Sequence, residues 1–309
     1  MSSIYKKIID FYNINKPCEI NIGICTTSDA GVNNKTSYIS YPRELKKNKY
    51  YFHCIFFNHE EAINEIIRLK YLNPVFFLDI ENKSKFFKWK KIVKHFNSVI
   101  KFLYIQPNYI TVNGLVETLV YNDFENILII GSGKIARDLS IRLNSITQNF
   151  YWTHSIENRS SNSVNTMNSL FANNHLNLKE IEFDCIVNTI PFKIYFNINN
   201  YINKSTTFIE VTGKSLSYLN KIDCNKYRFD FSPYLIREVQ SLKNLNKNKI
   251  IIGRKKFKEF FICSGGYLGK KNDLIVDNYI KPKYLIGISD GMGGFLKRIN
   301  KKFDPNIAL

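Results

Sequence analysis

Residues 126 to 144, NILIIGSGKIARDLSIRLN, form an apolar run that enters a Gly-x-Gly-x-x-Ala turn and leaves with the spacing of an amphipathic helix. Few folds accept that succession. A buried parallel strand must end in a turn tight enough to need Gly131, pass a backbone position kept bare at Gly133, and start a helix held close to the strand by Ala136. The first N–H groups of such a helix lack intrahelical acceptors and stand at the positive end of its dipole, so the position is built for an anion. The stretch therefore predicts the first strand–helix unit of a dinucleotide-binding domain.

The turn lies mid-chain in 309 residues, which leaves more than a hundred residues before it for a domain of their own. That N-terminal part alternates strand and helix patterns. EINIGIC at 19–25, YYFHCIFF at 50–57, PVFFLDI at 74–80 and VIKFLYI at 99–105 read as strands. NHEEAINEIIRLKYL after residue 57 reads as a helix capped by Asn58, with acids in its first turn and Arg68 and Lys70 at its end. A basic helix is expected around Lys85 to Phe96, and one over Ile110 to Tyr121 that delivers the chain to the fingerprint strand. Alternation of this kind predicts parallel sheets. The expected fold class is thus α/β: a flavodoxin-like substrate domain over residues 1 to about 115, then a Rossmann domain from about 120 to 309 with a C-terminal extension.

Within the second domain, NFYWT at 149–153 reads as the strand after the fingerprint helix. NAD-preferring domains carry an acid near this strand's end for the ribose hydroxyl. Here Thr153, His154 and Ser155 follow, with Arg159 shortly after, groups better suited to a 2′-phosphate. NADP is the expected cofactor and NAD the alternative. S-adenosylmethionine, the rival ligand of such a turn, ranks behind because the third position is Ala and the ribose-binding acid is missing. A weak helix is expected around Met167 to Ala172. DCIVN at 184–188 and TFIEV at 207–211 read as strands whose carboxyl ends would flank a nicotinamide ring.

GSGKIA and, some fifty residues on, DCIVNTIP together resemble the cofactor half of two-domain NAD(P)-dependent oxidoreductases of the shikimate dehydrogenase and dipicolinate synthase A-subunit type, over roughly residues 125 to 215. The resemblance implies that Gly131, Ser132, Gly133 and Lys134 hold the pyrophosphate, with Ile135 in the same turn, and that Asn188, Thr189 and Pro191 lie along the dinucleotide. It does not carry the substrate over. The Ser-x-Ser-Pro motif of shikimate dehydrogenases is missing, and Thr26-Thr27-Ser28-Asp29 echoes it in position alone.

Hydride transfer to a C=O or C=N bond also needs a proton donor at the heteroatom. By position beyond or near strand ends, Lys214, Glu210 and Asp290 are the catalytic candidates, each with a plainer reading as a loop lysine, a paired acid and a turn former. Asp29, Asp79 and Gln106 occupy comparable places in the N-terminal part, where turn or cap is the plainer reading. His53 lies inside an aromatic strand and reads as packed. His59, His95 and His175 have no nucleophile or ligand company at useful spacing, and the six cysteines show no Cys-x-x-Cys pair, so neither a hydrolase triad nor a metal site is expected.

The formal charge of +18 would ordinarily point to nucleic acid. The lysines are dispersed, and dense pieces such as KFFKWKKIVK (85–94) and RKKFK (254–258) alternate with apolar residues, as solvated faces do. Nucleic acid is accordingly not an expected partner. A small, anionic biosynthetic metabolite is, and a homodimer is a further expectation. The start of the sequence is too polar for a secretory signal and no apolar run reaches spanning length, so the expected location is the cytoplasm, away from membranes. Two other functions fit the same motifs: a dinucleotide sensor without chemistry, and a lyase of cyclodeaminase type that recycles its cofactor.

Overall fold

A computed structural model describes residues 4–27, 37–40, 42–97, 99–131, 133–143, 149–153, 170–171, 181–190, 198–212, 224–245, 253–264, 270–290 and 295–305. The chain forms two compact units, one of residues 1–108 with 235–247 and one of 109–234 with 248–309.

The first unit opens with helix α1 (Ile4–Asn15) and strand β1 (Glu19–Cys25), followed by the short β2 (Tyr38–Ile39) and β3 (Arg43–Lys46), then β4 (Lys49–Ile55), α2 (His59–Leu69), β5 (Val75–Asp79), α3 (Trp89–Phe96) and β6 (Phe102–Ile105). The strands β4-β1-β5-β6 are neighbours in that order and all parallel. Counted along the chain this is 2-1-3-4, the doubly wound order of flavodoxin-like sheets. β2 and β3 were not foreseen from the sequence. They run antiparallel to β4 and cover its outer edge, which removes an open strand edge. Helix α2 starts as its sequence dictates, with the Asn58 side chain accepting from the Glu61 N–H at 2.8 Å. Its Ala62, Ile66 and Leu69 are buried with Ile8, Ile22, Ile24, Phe52 and Leu78 in one core. Of the basic α3, the stripe of Ile92 and Phe96 is buried while Lys91 and Lys94 are exposed.

The second unit contains α4 (Pro107–Tyr121), whose first two residues count with the first unit. It continues through β7 (Asn126–Ile130), α5 (Lys134–Leu143), β8 (Asn149–Thr153), β9 (Leu170–Phe171), β10 (Cys185–Asn188), β11 (Thr207–Glu210) and β12 (Asn225–Arg228). The sheet runs β12-β11-β10-β7-β8-β9 with every pair parallel. In order of appearance this is 3-2-1-4-5-6, the Rossmann arrangement. Its reversal point lies between β7 and β10. Leu170 and Phe171 are strand, pairing with Tyr151 and Trp152, and this corrects the weak helix expected around Met167 to Ala172. A partner strand supplies hydrogen bonds that override a marginal local helix preference.

Helix α6 (Ser232–Leu242) then carries the chain back to the first unit. Its buried Gln240 donates to the Leu45 carbonyl at 2.7 Å, and Lys243 Nζ bonds Asn21 Oδ1 at 2.8 Å and pairs with Glu19. Strands β13 (Gly253–Phe257), β14 (Phe260–Ser264), β15 (Lys271–Val276), β16 (Tyr284–Asp290) and β17 (Phe295–Lys302) form a third sheet in that order, antiparallel except for β14 with β15. Ile262, Leu274, Val276, Leu285 and Phe303 form its core.

Candidate functional site

The carboxyl ends of β7, β10 and β11 are locked together by side chains that the sequence placed there. Gly131 leaves β7 at φ +132°, where a side chain is strained, and a Cβ on it would lie 2.2 Å from Thr189 Oγ1 and 3.0 Å from Ile190 Cγ2. Thr189 uses that contact space to fasten the strands: its N–H and its hydroxyl both donate to the Ile130 carbonyl, at 2.9 and 2.8 Å. Asn188 Nδ2 donates to Glu210 Oε2 at 2.6 Å, and Asn188 Oδ1 accepts from the Ile190 N–H at 3.2 Å. The other Glu210 oxygen accepts from the Thr212 N–H and hydroxyl at 2.7 and 2.5 Å. Asn188 and Glu210 are both buried. The acid expected at the end of β11 thus ties two strand ends through the Asn188 amide and the Thr212 N–H and hydroxyl.

Gly133 is different from Gly131. It has no strained φ, and a Cβ there meets no atom of the described residues within 4 Å. Its carbonyl accepts the Arg137 N–H at 3.1 Å, making it the N-cap of α5. Nothing among the described residues requires this position to be bare, whereas a pyrophosphate approaching the helix N-terminus does. Ala136 is fully buried, as the close packing of α5 on the sheet demands. Lys134 is exposed beside the same turn, 4.0 Å from Asp138. The residues present fit a dinucleotide: a bare approach at Gly133, the N–H groups of a helix start, a lysine, and the reversal point beside them.

Of the other residues singled out from the sequence, Ile135 lies in the first turn of α5, half-buried, and Thr153 ends β8 opposite Ile130. Ser132, His154, Ser155, Arg159, Pro191 and Lys214 lie outside the described residues, as do Asp29 and His175. Asp290 ends β16 in the third sheet, in register with Lys271, and does not share the strand ends that gather Gly131, Asn188, Thr189 and Glu210. Among the described residues no group of His, Cys, Asp and Glu is arranged to hold a metal ion.

The first unit has its own reversal point, between β1 and β5, and a charged cluster that sequence reasoning missed sits there. Asp79 ends β5 fully buried and accepts from the Glu81 N–H at 2.9 Å. Lys83 Nζ lies 2.8 Å from Asp79 Oδ2 and 3.0 Å from Glu81 Oε2, and Glu81 also accepts from the Asn108 N–H at 2.9 Å. Burial alone would pull the Lys83 pKa down; the two carboxylates outweigh it and hold it above its ordinary value. Burial raises Asp79 despite the ammonium beside it. Asp79 was singled out for its place at a strand end. Lys83, four residues on, was hidden among 44 basic residues.

His53, close by, accepts or donates at Nδ1 with Tyr51 Oη at 3.3 Å and Cys25 Sγ at 3.6 Å. Burial, with a smaller contribution from Lys83, lowers it to about 3, so it is a neutral packed histidine at physiological pH. The Cys25 thiol is raised by burial and by the Asp79 charge, the opposite of an activated nucleophile.

No known protein family matches the chain, and no curated protein matches it in sequence. Among solved structures, it is similar to a shikimate dehydrogenase in complex with NADP+, at 15% identity over 75% of this chain and 92% of that one, with a TM-score of 0.43. It is also similar to quinate dehydrogenase from Corynebacterium glutamicum in complex with NAD, at 10% identity over 74% and 95% with a TM-score of 0.42. A third is the L-tryptophan dehydrogenase from Nostoc punctiforme, at 9% identity over 74% and 76% with a TM-score of 0.43. Independently of these likenesses, the chain's own strand order and loop geometry make its second unit a Rossmann domain.

Proposed function

We propose that the protein is a nicotinamide-dinucleotide-dependent oxidoreductase acting on a C=O or C=N bond of a small, anionic metabolite. The observation that carries this reading is the bare, unstrained Gly133 at the start of α5, at the reversal point of a sheet ordered 3-2-1-4-5-6. When bound, the dinucleotide supplies a hydride donor or acceptor. The α5 N-terminus and Lys134 would take its pyrophosphate, and the ends of β10 and β11 would lie along it. NADP is favoured over NAD by the hydroxyls, imidazole and guanidinium of Thr153, His154, Ser155 and Arg159.

For the proton we favour Lys214, which follows β11 in the sequence and carries an ammonium that can donate a hydrogen bond to the oxygen or nitrogen that gains electron density. Glu210 acts as a positioning residue through Asn188, and Asp290 is the weakest of the three acids and bases picked by position.

Titration with NADPH and NADH, followed by nicotinamide fluorescence, tests the cofactor. Binding in the micromolar range with NADPH ahead supports the reading, and insensitivity to both removes it. With a panel of anionic carbonyl and imine metabolites followed at 340 nm, Lys214→Gln is expected to retain NADPH binding and lose turnover at least 100-fold. Dinucleotide binding without turnover of any substrate would favour the sensor, and turnover without net absorbance change the cofactor-recycling lyase.

A further inference from the structure

We infer that the third sheet binds single-stranded nucleic acid, at the end where β16 begins and β17 finishes. Along the chain the lysines look dispersed, but the span from Gly253 to Asp304 holds twelve Lys and Arg against five Asp and Glu, a surplus of seven out of the chain's +18. That span is about a sixth of the sequence. Of its acids, Asp273 is buried and taken by Arg254, whose Nε and Nη2 reach it at 2.6 and 3.0 Å. Asp277 accepts the backbone N–H groups of Lys283 and Tyr284, at 2.9 and 3.0 Å.

The fold then brings four exposed lysines to one end of the sheet. Lys302 is in register with Tyr284, so their side chains share a face, and Lys301, in register with the buried Leu285, lies on the other face of the same strand end. Lys283 joins them because its carbonyl accepts the Phe303 N–H at 2.7 Å, and Lys281 is two residues before it. A fifth ammonium, Lys255 Nζ, reaches the Ile280 carbonyl at 3.1 Å. At this end, on the face of Lys302 and next in sequence to Lys283, Tyr284 is 48% exposed. Like charges gathered this way repel one another, and an exposed aromatic ring among lysines is the pairing that single strands use, bases stacking on the ring and phosphates meeting the ammoniums. A membrane surface fits less well, since Ile280 is the one large aliphatic side chain exposed at this end among the described residues. The site lies on a different sheet from the dinucleotide loop, and its test does not depend on the oxidoreductase reading.

The test is fluorescence anisotropy of the full chain with end-labelled 20-nucleotide uridine and thymidine oligonucleotides. Binding at 50 mM salt should weaken roughly 50-fold by 200 mM if four phosphates are neutralised. Lys283→Glu combined with Lys302→Glu should cost at least tenfold. Tyr284→Ala should cost at least fivefold with the salt slope unchanged, and Tyr284→Phe should restore it. Lys91→Glu combined with Lys94→Glu, an equal charge change on exposed positions of α3, should cost less than twofold. A preference for uridine over thymidine would name RNA as the partner and the reverse DNA, both in support. No binding at 50 mM salt overturns the inference, as does an equal loss in the α3 variant or binding to phosphatidylserine vesicles with none to either oligonucleotide.

Discussion

Replacing the two glycines of the fingerprint one at a time separates what the fold needs from what a ligand needs. Gly131→Ala forces a side chain onto a backbone at φ +132° and puts its Cβ 2.2 Å from Thr189 Oγ1. The strained backbone costs about 1–3 kcal/mol, and displacing a packed neighbour adds about 1–3 kcal/mol. Relief by rotating Thr189 would sacrifice its hydroxyl bond to Ile130. A total of about 4 kcal/mol should lower the urea midpoint by about 1–2 M, followed by circular dichroism. Gly133→Asp meets open space and puts a favourable residue at the N-cap of α5, so stability should change by less than about 1 kcal/mol. The same carboxylate about 4 Å from a phosphate would cost about 4 kcal/mol at a surface-like dielectric. NADPH affinity should therefore fall about 100- to 1,000-fold, less at high salt. Equal destabilisation by both substitutions, or unchanged NADPH affinity in Gly133→Asp, would refute the reasoning.

Other substitutions probe the first unit. His53 binds a proton with a pKa of about 3 in the fold against an ordinary 6.5, so the unfolded chain takes up the proton first as pH falls; stability is full above pH 6.5, down by about 2 kcal/mol at pH 5, and His53→Gln should flatten that slope in urea titrations at pH 5 and 7. Lys83→Met leaves Asp79 and Glu81 buried without their cation and should cost about 3–5 kcal/mol at pH 7, with much of the loss recovered in the Asp79→Asn, Lys83→Met double variant by thermal melting. Because the Lys83 pKa is raised, the stability it contributes is present below the ordinary lysine pKa and fades as pH rises through the folded value, so wild type should lose stability at alkaline pH faster than that double variant. Gln240→Ala strands the Leu45 carbonyl and should cost about 1–3 kcal/mol, seen as earlier urea unfolding of the first unit.

Local features were legible because their causes are local. The strand–turn–helix at Asn126 to Leu143, the Asn58 cap, the alternation of strands and helices and the packed state of His53 all follow from neighbouring residues. The site was legible in half. Gly131, Asn188, Thr189 and Glu210 were named from sequence and meet at adjacent strand ends, yet that Glu210 bonds Asn188, 22 residues away, follows only from the pairing of β10 with β11. Lys83 had no signal beyond its spacing from Asp79, which every surface Lys–Asp pair shares.

By itself the sequence determined that a buried strand runs into a phosphate-sized turn and a helix, since glycine conformational freedom and helix capping act over a few residues. Only the tertiary structure decided the strand orders 2-1-3-4 and 3-2-1-4-5-6, the return of α6 to the first unit, the ion cluster at Lys83, and the gathering of separate lysines at one end of the third sheet. Each of these joins residues far apart in the chain, where hydrogen-bond pairing and burial, and not local preference, choose the partner.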